Sequence, residues 1–248
     1  MSGLSLPWLD ASPDAPFPPA DTALREPDGL LAAGGDLTLP RLHTAYRHGI
    51  FPWFSEGQPP LWWCPDPRAV FLTDGVATSR RFRRGLRGST WTVRADTAFG
   101  RVIATCASIP RRGQAGTWIT DAMLDAYVAV HEAGHAHSFE AFDGDRLVGG
   151  VYGVAIGRLF FAESMFSARP DGSKVALAAL AAVLHGWGWP LIDAQVGNDH
   201  LDSLGARMWP RDRFLSEVAR LTREDGLVGP WTAAVGELPA SRLASLPA

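Results

Sequence analysis

The order of strand and helix signals in the second half of the chain constrains the fold more than any other feature of the sequence. Short apolar runs separated by turn residues such as Asp143-Gly-Asp145 predict strands, whereas the longer apolar stretch after Pro170-Asp-Gly172 predicts a helix. The predicted elements are strands at 138–142, 147–156 and 158–162, a helix from the N-cap residue Ser173 to about His185, and a strand at 191–194. Strands followed by a helix and a further strand predict an α+β domain with the helix packed on one face of a sheet.

The N-terminal part of the chain has a different composition. Five prolines within the first 19 residues disfavour regular structure and predict an extended leader. A short helix is predicted over residues 39–48, with Gly49 as its stop. Pro65-Asp-Pro67 interrupts the chain again, which predicts a small N-terminal domain of residues 1–67 and a larger domain of residues 68–248. The Ala, Ser and Pro content after Gly236 predicts that the larger domain ends in a frayed tail.

Composition narrows the class of protein. With 46% hydrophobic and 20% charged residues, the 248-residue chain has the balance of a globular protein. No signal segment and no stretch approaching the ~20 apolar residues of a membrane span is found, so a cytoplasmic protein is expected. Cys64 and Cys106 are too few for a disulfide framework and form no CxxC pair. The net charge of −3 argues against a broadly basic surface but leaves room for a local basic patch that meets nucleic acid.

The segment His131-Glu-Ala-Gly-His135 matches the H-E-x-x-H motif, which on a helix supplies two zinc ligands and a general base for a metalloprotease. Apolar spacing predicts a helix over residues 121–132, and Gly134 is a C-terminal cap that would leave His135 outside it. The two histidines would then not share a face. We therefore predict no metal here and interpret both histidines as hydrogen-bonded at a helix end, with a zinc metalloprotease as the alternative.

One dense basic cluster stands out: Arg80, Arg81, Arg83, Arg84 and Arg87. If this stretch is helical, Arg80, Arg84 and Arg87 fall on one side, and such a stripe suits phosphates. A solvated surface face explains the composition equally well. Trp53 and Trp118 favour nucleic acid, because an unpaired base can stack on an indole ring. A non-catalytic RNA-binding module therefore stays open as a second alternative.

Polar side chains also stand at or near the ends of two predicted strands: Glu163, Asp193 and Gln195. Asp193 and Gln195 are two residues apart, so in a regular strand they would point to one face and could meet one substrate amine. Two carboxylates favour a cationic partner, although acidic residues at strand ends are often only solvated. Neither a G-x-S-x-G nucleophile motif nor a P-loop occurs, and residues 163–174 lack the glycine-rich cradle of an acetyl-coenzyme A transferase. An acyltransferase built this way would need an acyl carrier other than coenzyme A.

A series of motifs in order along the chain resembles the bacterial leucyl/phenylalanyl-tRNA–protein transferases. The matching segments are Gly34-Gly-Asp-Leu37, Gly49-Ile-Phe-Pro-Trp-Phe54, Leu61-Trp-Trp63, Pro65-Asp-Pro-Arg68, Gly116-Thr-Trp-Ile-Thr120, Gly134-His-Ala-His137, Val148-Gly-Gly150, Glu163-Ser-Met-Phe-Ser167, Ser173-Lys174, Leu191-Ile-Asp193 with Gln195, and Asn198-Asp-His200. The resemblance runs from about Phe17 to Trp231. It implies a small N-terminal domain and a larger domain similar to the GNAT acetyltransferases.

The resemblance also implies an activity: transfer of Leu or Phe from its tRNA to proteins that begin with Arg or Lys, which marks them for degradation through the bacterial N-end rule. A monomer without metal or cofactor is expected. Position by position, the resemblance implies tRNA 3′-adenosine stacking on Trp53 and Trp118, acceptor-stem contacts from Arg80, Arg84 and Arg87, and catalytic roles for Glu163, Asp193 and Gln195. It places the pocket for the amino-acid side chain at Val151, Leu177, Leu180, Leu184 and Ile192.

Some pocket residues depart from the family pattern. Leu180 and Leu184 stand where relatives carry Phe, and Val151 stands where one carries Met, which implies a reshaped pocket. An apolar pocket discriminates by only ~1–3 kcal/mol per methylene, so overlap between Leu, Phe and Met is expected.

The implied reaction is aminolysis of an ester already activated on tRNA, so it needs no ATP, metal or covalent intermediate. Positioning can supply ~7–11 kcal/mol of the barrier. We expect Asp193 to orient Gln195, Gln195 to accept a hydrogen bond from the attacking amine, and Glu163 with Asp193 to attract the cationic acceptor. A neutral amide is a very poor base, so the final proton acceptor stays open between water and the hydroxyls of the tRNA ribose.

Overall fold

The computed structural model describes residues 6–12, 15–109 and 119–245. Its strands are β1 (Trp8–Leu9), β2 (Leu30–Gly34), β3 (Phe51–Pro52), β4 (Leu61–Trp63), β5 (Arg68–Leu72), β6 (Thr92–Ala95), β7 (Ala136–Asp143), β8 (Arg146–Ile156), β9 (Leu159–Ser167), β10 (Leu191–Gln195), β11 (Arg207–Trp209) and β12 (Leu238–Pro239). Its α-helices are α1 (Leu39–Arg47), α2 (Arg80–Arg87), α3 (Phe99–Ser108), α4 (Asp121–Glu132), α5 (Gly172–Gly186), α6 (Asp199–Ser203), α7 (Arg211–Leu221) and α8 (Thr232–Val235). Short 3₁₀ helices cover Ala20–Thr22 and Ala240–Ser245.

The strands form two sheets. The smaller has the order β1-β2-β4-β3, and the larger has the order β11-β5-β10-β9-β8-β7-β6-β12. Neighbouring strands are antiparallel except for β1 with β2 and β9 with β10, which are parallel. Helix α5 connects the parallel pair β9 and β10 and packs on β7 and β8. The architecture is therefore a mixed α/β fold in which the strand–helix–strand unit predicted from the sequence lies inside the larger sheet.

Most elements predicted for the second half of the chain are confirmed. Helix α4 has the predicted bounds, and β9 runs on to Ser167. The predicted N-cap of α5 is wrong, because the helix begins at Gly172 and its N-cap is Asp171, in the left-handed region with a φ of 68°. The Ser173 N–H instead donates to the Ser167 Oγ at 2.8 Å. Ser173 thus ties the start of α5 to the end of β9.

A close approach between α5 and β8 fixes where the helix begins. A Cβ atom on Gly172 would lie 2.2 Å from the carbonyl oxygen of Val148, and one on Gly149 would lie 2.2 Å from the carbonyl carbon of Gly172. Only glycine at both positions permits this contact. Gly149 of β8 and Gly172 of α5 therefore have a shared packing reason, which is to bring the N-terminal end of α5 against the sheet.

Strands β9 and β10 pair over a short length only. Leu191–Asp193 lies opposite Leu159–Phe161, and β9 then continues to Ser167 beyond the last residue paired with β10. In the same region the register between β10 and β5 shifts between Asp193 and Gln195. The two parallel strands thus part at their carboxyl ends and leave a gap in the sheet.

The proline-rich leader takes part in the smaller sheet. Trp8 pairs with Ala33 in the parallel ladder of β1 and β2. The guanidinium of Arg41, which is fully buried, donates to the carbonyl oxygens of Ala15 and Ser12. Backbone carbonyls of an otherwise irregular segment are satisfied by this one side chain, which holds the leader against α1.

The predicted frayed tail is wrong for residues 238–245. Leu238 pairs with Val93 at the edge of the larger sheet, and Leu243 is buried where the last 3₁₀ helix packs on α2 and α5. A few apolar side chains are enough to dock a short segment, although its overall composition is typical of a loose end. Within residues 6–12, 15–109 and 119–245, every helix is too short or too polar to cross a membrane.

Candidate active site

A cleft of about 1110 Å³ lies in the gap between β9 and β10. Its walls come from β3 and the residue after it, from β9, from the first turns of α5 and from the chain that follows β10. The predicted site residues that line this cleft are Trp53, Val151, Glu163, Leu177 and Gln195. An exposed indole, two aliphatic side chains, a carboxyl group and an amide thus meet in one cavity.

Gln195 is held from both its backbone and its side chain. It has a φ of 62°, in the left-handed region that non-glycine residues rarely adopt, and it follows the register shift in β10. Its N–H donates to the Asp193 Oδ1 at 3.0 Å, and its side-chain Nε2 donates to the Glu163 Oε1 at 2.8 Å. Because the amide nitrogen is engaged, the amide oxygen is the group left to accept a hydrogen bond in the cleft.

Glu163 is the centre of a buried hydrogen-bonded cluster. The hydroxyl of Tyr46 donates to its Oε1 at 2.7 Å, and that of Tyr127 donates to its Oε2 at 2.8 Å. Burial raises the pKa of Glu163 to about 7, against the opposing effect of the two tyrosine hydrogen bonds. At neutral pH this carboxyl group therefore lies close to its titration midpoint, which is a property of groups that handle protons.

All three tyrosines of the chain belong to this cluster. The hydroxyl oxygens of Tyr46 and Tyr127 are in direct contact, and the rings of Tyr127 and Tyr152 meet edge to face with their centroids 5.7 Å apart. Burial first, and then the charge of Glu163, raise the pKa of both Tyr46 and Tyr127 well above 10. Both phenols therefore remain protonated donors to Glu163.

Asp193 lies beneath the cleft. Its carboxylate is fully buried and accepts two hydrogen bonds from Arg68, from Nε at 2.8 Å and from Nη2 at 2.7 Å. The expectation that Asp193 and Gln195 together face one amine needs correction, because the register shift and the left-handed φ of Gln195 break the regular strand on which it was based. The charge of Asp193 is neutralised by Arg68 and is not presented to a cationic acceptor.

The predicted apolar pocket is divided by the structure. Val151 and Leu177 line the cleft, whereas Leu180, Leu184 and Ile192 are fully buried in the core beneath α5. Leu180 and Leu184 stand about 4.5 and 10 Å further along the helix than Leu177, at 1.5 Å per residue. In this structure they pack in the same apolar cluster as Leu177 but deeper, and their assignment to the side-chain pocket stays a prediction.

Trp53 stands at the mouth of the cleft with 38% of its surface exposed. Its backbone carbonyl accepts a hydrogen bond from the Trp63 Nε1 at 2.6 Å, and the two rings lie 5.4 Å apart. Trp53 therefore presents a supported aromatic face to solvent. Trp118, the second predicted stacking residue, lies outside the described residues.

Helix α2 carries the predicted basic stripe. Phe82 and Leu86 are buried, and Arg80, Arg84 and Arg87 are exposed on the opposite side. The side chain of Ser79 caps the helix by accepting the Phe82 N–H at 3.1 Å. Within the described part of the chain, none of the arginines of α2 forms an ion pair. The stripe does not line the cleft, but its guanidinium groups are free to meet phosphates.

The H-E-x-x-H segment does not form a zinc-binding helix. Helix α4 ends at Glu132, and Gly134 has a φ of 81° with the Gly229 N only 2.5 Å from where a Cβ would stand, so the predicted stop is confirmed. His131 stacks on Phe99 at 4.1 Å, and its Nδ1 is 2.7 Å from the Ala136 carbonyl oxygen. Among the described residues, no group of three His, Cys, Asp or Glu side chains is arranged to hold a metal ion.

A second buried carboxyl cluster lies away from the cleft, around Glu140 on β7. Burial raises the pKa of Glu140 to about 7, and hydrogen bonds from Ser138 and Thr97 oppose this shift. Next to it, Asp96 Oδ2 lies 2.8 Å from the His137 Nδ1 and accepts the backbone N–H of Trp231 at 2.7 Å. The imidazole of His137 stacks on the Trp231 ring at 3.7 Å. This cluster joins the sheet to the C-terminal segment.

The sequence predictions missed three residues of the site, namely Arg68, Tyr46 and Tyr127. A signal existed for Arg68, because a charged residue that opens the apolar strand Arg68-Ala-Val-Phe-Leu72 needs a buried partner. The signal for the tyrosines was weaker, since each stands on the apolar side of a helix, where a core role is the ordinary interpretation.

Comparison with known proteins identifies one family over most of the chain. The family model for leucyl/phenylalanyl-tRNA protein transferase matches residues 70–219, and the model for the N-terminal domain of that family matches residues 35–66. The chain is 65% identical over 239 residues to the leucyl/phenylalanyl-tRNA–protein transferase of Xanthomonas axonopodis pv. citri, covering 96% of both chains. It is 62% identical over 229 residues to that of Xylella fastidiosa, covering 92% of this chain and 94% of the relative. A solved structure, a functionally unknown conserved protein from Staphylococcus epidermidis, aligns with a TM-score of 0.38 at 10% identity over 73% of this chain and 68% of its own, which is too distant to inform the fold.

The fold, the cleft and these matches define an enzyme of the aminoacyltransferase class. Within that class, the chain belongs to the leucyl/phenylalanyl-tRNA protein transferase family. A zinc metalloprotease and a non-catalytic RNA-binding module are not favoured by these matches.

Proposed function

We propose that this protein transfers Leu or Phe, and to some extent Met, from aminoacyl-tRNA to the N-terminal Arg or Lys of acceptor proteins. The observation that carries the proposal is the state of Gln195, which has a left-handed backbone, is held through both its backbone and its side chain, and lies in the cleft with its amide oxygen available as an acceptor. The names of relatives that are 62 to 66% identical support the same reaction.

The donor tRNA engages two separate surfaces in this proposal. Its terminal adenine stacks on Trp53, with Trp118 as the second aromatic face, and phosphates of the acceptor stem meet Arg80, Arg84 and Arg87. The exposed indole and the unpaired guanidinium groups support these roles. The amino-acid side chain then occupies the apolar end of the cleft beside Val151 and Leu177.

The reaction is displacement at the ester carbonyl of the donor. The neutral α-amine of the acceptor forms a C–N bond to that carbon, the bond to the 3′-oxygen of the tRNA breaks, and the proton released by the amine ends on that oxygen. Gln195 accepts a hydrogen bond from the amine and orients it, since a neutral amide cannot take the proton. Glu163, held by Tyr46 and Tyr127, orients the Gln195 amide through its Nε2. Rate enhancement comes largely from alignment of the two reactants.

The wider assignments form part of the same proposal. The product carries a new N-terminal Leu or Phe, a signal for degradation through the N-end rule, and the enzyme acts as a cytoplasmic monomer. Residues 1–67 form the N-terminal domain, and residues 68–248 form a GNAT-like catalytic domain. The parallel strands β9 and β10, connected by α5 and parted at their carboxyl ends, support that likeness.

The test is a transfer assay with the purified full-length chain. Labelled Leu-tRNA and Phe-tRNA are incubated with peptides that begin with Arg, with Lys or with acetylated Arg. Labelled product is expected with the first two only, because the acetylated peptide has no free amine. Binding of tRNA without product would instead favour an RNA-binding module, and peptide cleavage abolished by a chelator would favour the protease.

The basic stripe is tested by salt dependence. Each phosphate contact removed lowers the slope of log affinity against log salt by roughly 1, so Arg80→Ala with Arg84→Ala should lower it by roughly 2. Arg220→Ala is the control, because this exposed arginine of α7 is already paired with Glu217 and Glu224. An unchanged slope in the double variant would show that the stripe is an ordinary solvated face that does not bind phosphates.

A further inference from the structure

Arg68 is a charged residue in a buried position, where an unpaired charge strongly destabilises the fold. It opens β5, is completely buried, and is followed by the apolar residues Ala69 to Leu72. A buried guanidinium is tolerated when its hydrogen bonds and charge are matched by a partner in good geometry. Asp193, also completely buried, is that partner, and the two side chains are joined through two parallel hydrogen bonds.

The geometry of this pair fixes the orientation of the carboxylate as well as its charge. Nε and Nη2 of Arg68 each engage a different oxygen of Asp193. A guanidinium is planar and binds a carboxylate as a fork, so the two groups must lie in one plane. The Asp193 Oδ1 is thereby held where it accepts the backbone N–H of Gln195.

Two aromatic rings contact the guanidinium of Arg68 in turn. Its central carbon lies 4.6 Å from the ring centroid of Phe51 and 4.6 Å from that of Phe214. Phe51 belongs to β3 of the smaller sheet and Phe214 to α7, so two elements distant in sequence position one side chain. Cation–π contacts of this kind strengthen when they are removed from water.

We propose that Arg68 is a positioning residue: held in contact with Phe51 and Phe214, it orients Asp193, which in turn holds Gln195 in its left-handed conformation at the cleft. The strain at Gln195 is sustained by the surrounding contacts, as such conformations require. The role in transfer rests on the proposed function, whereas the effect on the backbone of Gln195 does not.

The test compares Arg68→Met with Arg41→Met in the full chain. Arg41 is a matched control, because it is equally buried and lies 5.5 Å from the ring of Phe17, but binds the leader instead of the site. Hydrogen exchange of the Gln195 amide is measured by NMR, together with the single-turnover transfer rate at saturating Leu-tRNA. Arg68→Met is expected to speed exchange about tenfold or more and to slow transfer about 100-fold, with KM for Leu-tRNA changed less than about threefold. In Arg41→Met both quantities stay within about threefold of wild type, whatever its thermal stability.

A second variant keeps the proposal testable if Arg68→Met does not fold. Arg68→Met with Asp193→Asn removes the unpaired buried charge, and it is expected to fold and still show the fast exchange and slow transfer. Wild-type exchange and wild-type transfer in a folded Arg68 variant would overturn the proposal, as would equal slowing by Arg41→Met. If the wild-type protein forms no product, the proposed function fails, and exchange at Gln195 alone then decides whether Arg68 holds it: faster exchange supports the proposal and unchanged exchange overturns it.

Discussion

Glu163 and Glu140 have the same electrostatic signature in two different settings. Burial raises the pKa of each carboxyl group to about 7, and in each case hydroxyl donors oppose the shift. Glu163 binds two tyrosines and the side chain of Gln195, and it lines the cleft. Glu140 binds Ser138 and Thr97 and does not line the cleft.

The difference teaches that a raised pKa identifies burial, whereas access to a cavity identifies a site. Structural networks perturb titration as strongly as catalytic ones do. What separates the two clusters is the neighbour: Glu163 is bonded to a strained residue with a free acceptor in a cleft, and Glu140 is bonded to residues of its own strand and of an adjacent loop. We therefore expect variants around Glu140 to change stability and variants around Glu163 to change catalysis.

The largest expected effect is on the structural side of this comparison. Trp231 is fully buried, stacks on His137 and donates its backbone N–H to Asp96. Trp231→Ala should lower the free energy of unfolding by about 3–5 kcal/mol, because it leaves a large cavity. Urea denaturation measures this, with Trp8→Ala as the control, since Trp8 is 69% exposed and should change stability by at most about 0.5 kcal/mol. A loss below about 1 kcal/mol would show that this cluster does not anchor the C-terminal segment.

The second prediction concerns stability against pH. Because the folded-state pKa of Glu140 is raised from 4.5 to about 7, its stabilising protonation is fully present below pH 4.5 and is lost as pH rises through 7. Over that window the group should reduce the free energy of unfolding by about 3 kcal/mol, at 1.36 kcal/mol per pKa unit. Glu140→Gln should lack this contribution and keep the similar decline due to Glu163, whose pKa is raised to the same value.

Subtracting one unfolding curve from the other isolates Glu140, because the remaining titrations are common to both proteins. His137 illustrates why this is needed: burial lowers its pKa, so its contribution is present above pH 6.5 and is lost as pH falls, the opposite sign. Parallel curves for wild type and Glu140→Gln would contradict the assignment of a buried, titrating carboxyl group.

The sequence predicts the helices and strands that carry these two clusters. It predicts less well the contacts within the clusters. Local signals such as Gly134 end α4 correctly, and the resemblance to a family selects Glu163 and Gln195. The pairing of Arg68 with Asp193 joins residues 125 positions apart, and that of Tyr46 with Glu163 joins residues 117 apart. No periodicity reports such contacts, because they depend on how β5, α1 and β9 pack. The N-cap was misjudged at Ser173 for a related reason, since the contact between Gly149 and Gly172 decides where α5 begins.

The third prediction removes one hydrogen bond from each glutamate. Gln195→Ala should lower the single-turnover transfer rate about 100-fold, because it removes the group that we propose orients the amine. Ser138→Ala removes a hydroxyl bonded to Glu140 and should leave the rate within about twofold of wild type, since this bond is remote from the cleft. Equal slowing in both variants would mean that transfer responds to general stability and not to the site.

The smallest effect, and the sharpest comparison, is the pH profile of transfer. Tyr46, Tyr127 and Gln195 all donate hydrogen bonds to Glu163, and such bonds are stronger when the carboxyl group is ionised. With a pKa of about 7, the ionised fraction of Glu163 falls roughly tenfold between pH 8 and pH 6. The acceptor amine, with a pKa of about 8, also becomes protonated over this pH range, which lowers the transfer rate of every variant alike. Glu163→Gln cannot ionise, so its rate should fall roughly tenfold less over the same range.

Glu140→Gln is the decisive control for this profile, because Glu140 titrates near the same pH. If ionisation of Glu163 causes the fall in transfer rate between pH 8 and pH 6, Glu140→Gln keeps the wild-type profile and only Glu163→Gln flattens it. If instead loosening of the fold as Glu140 ionises governed transfer, the rate would fall as pH rises through 7, and Glu140→Gln would remove that fall. Two carboxyl groups with the same pKa are thus separated by what they touch, because only Glu163 is bonded to Gln195, which lines the cleft.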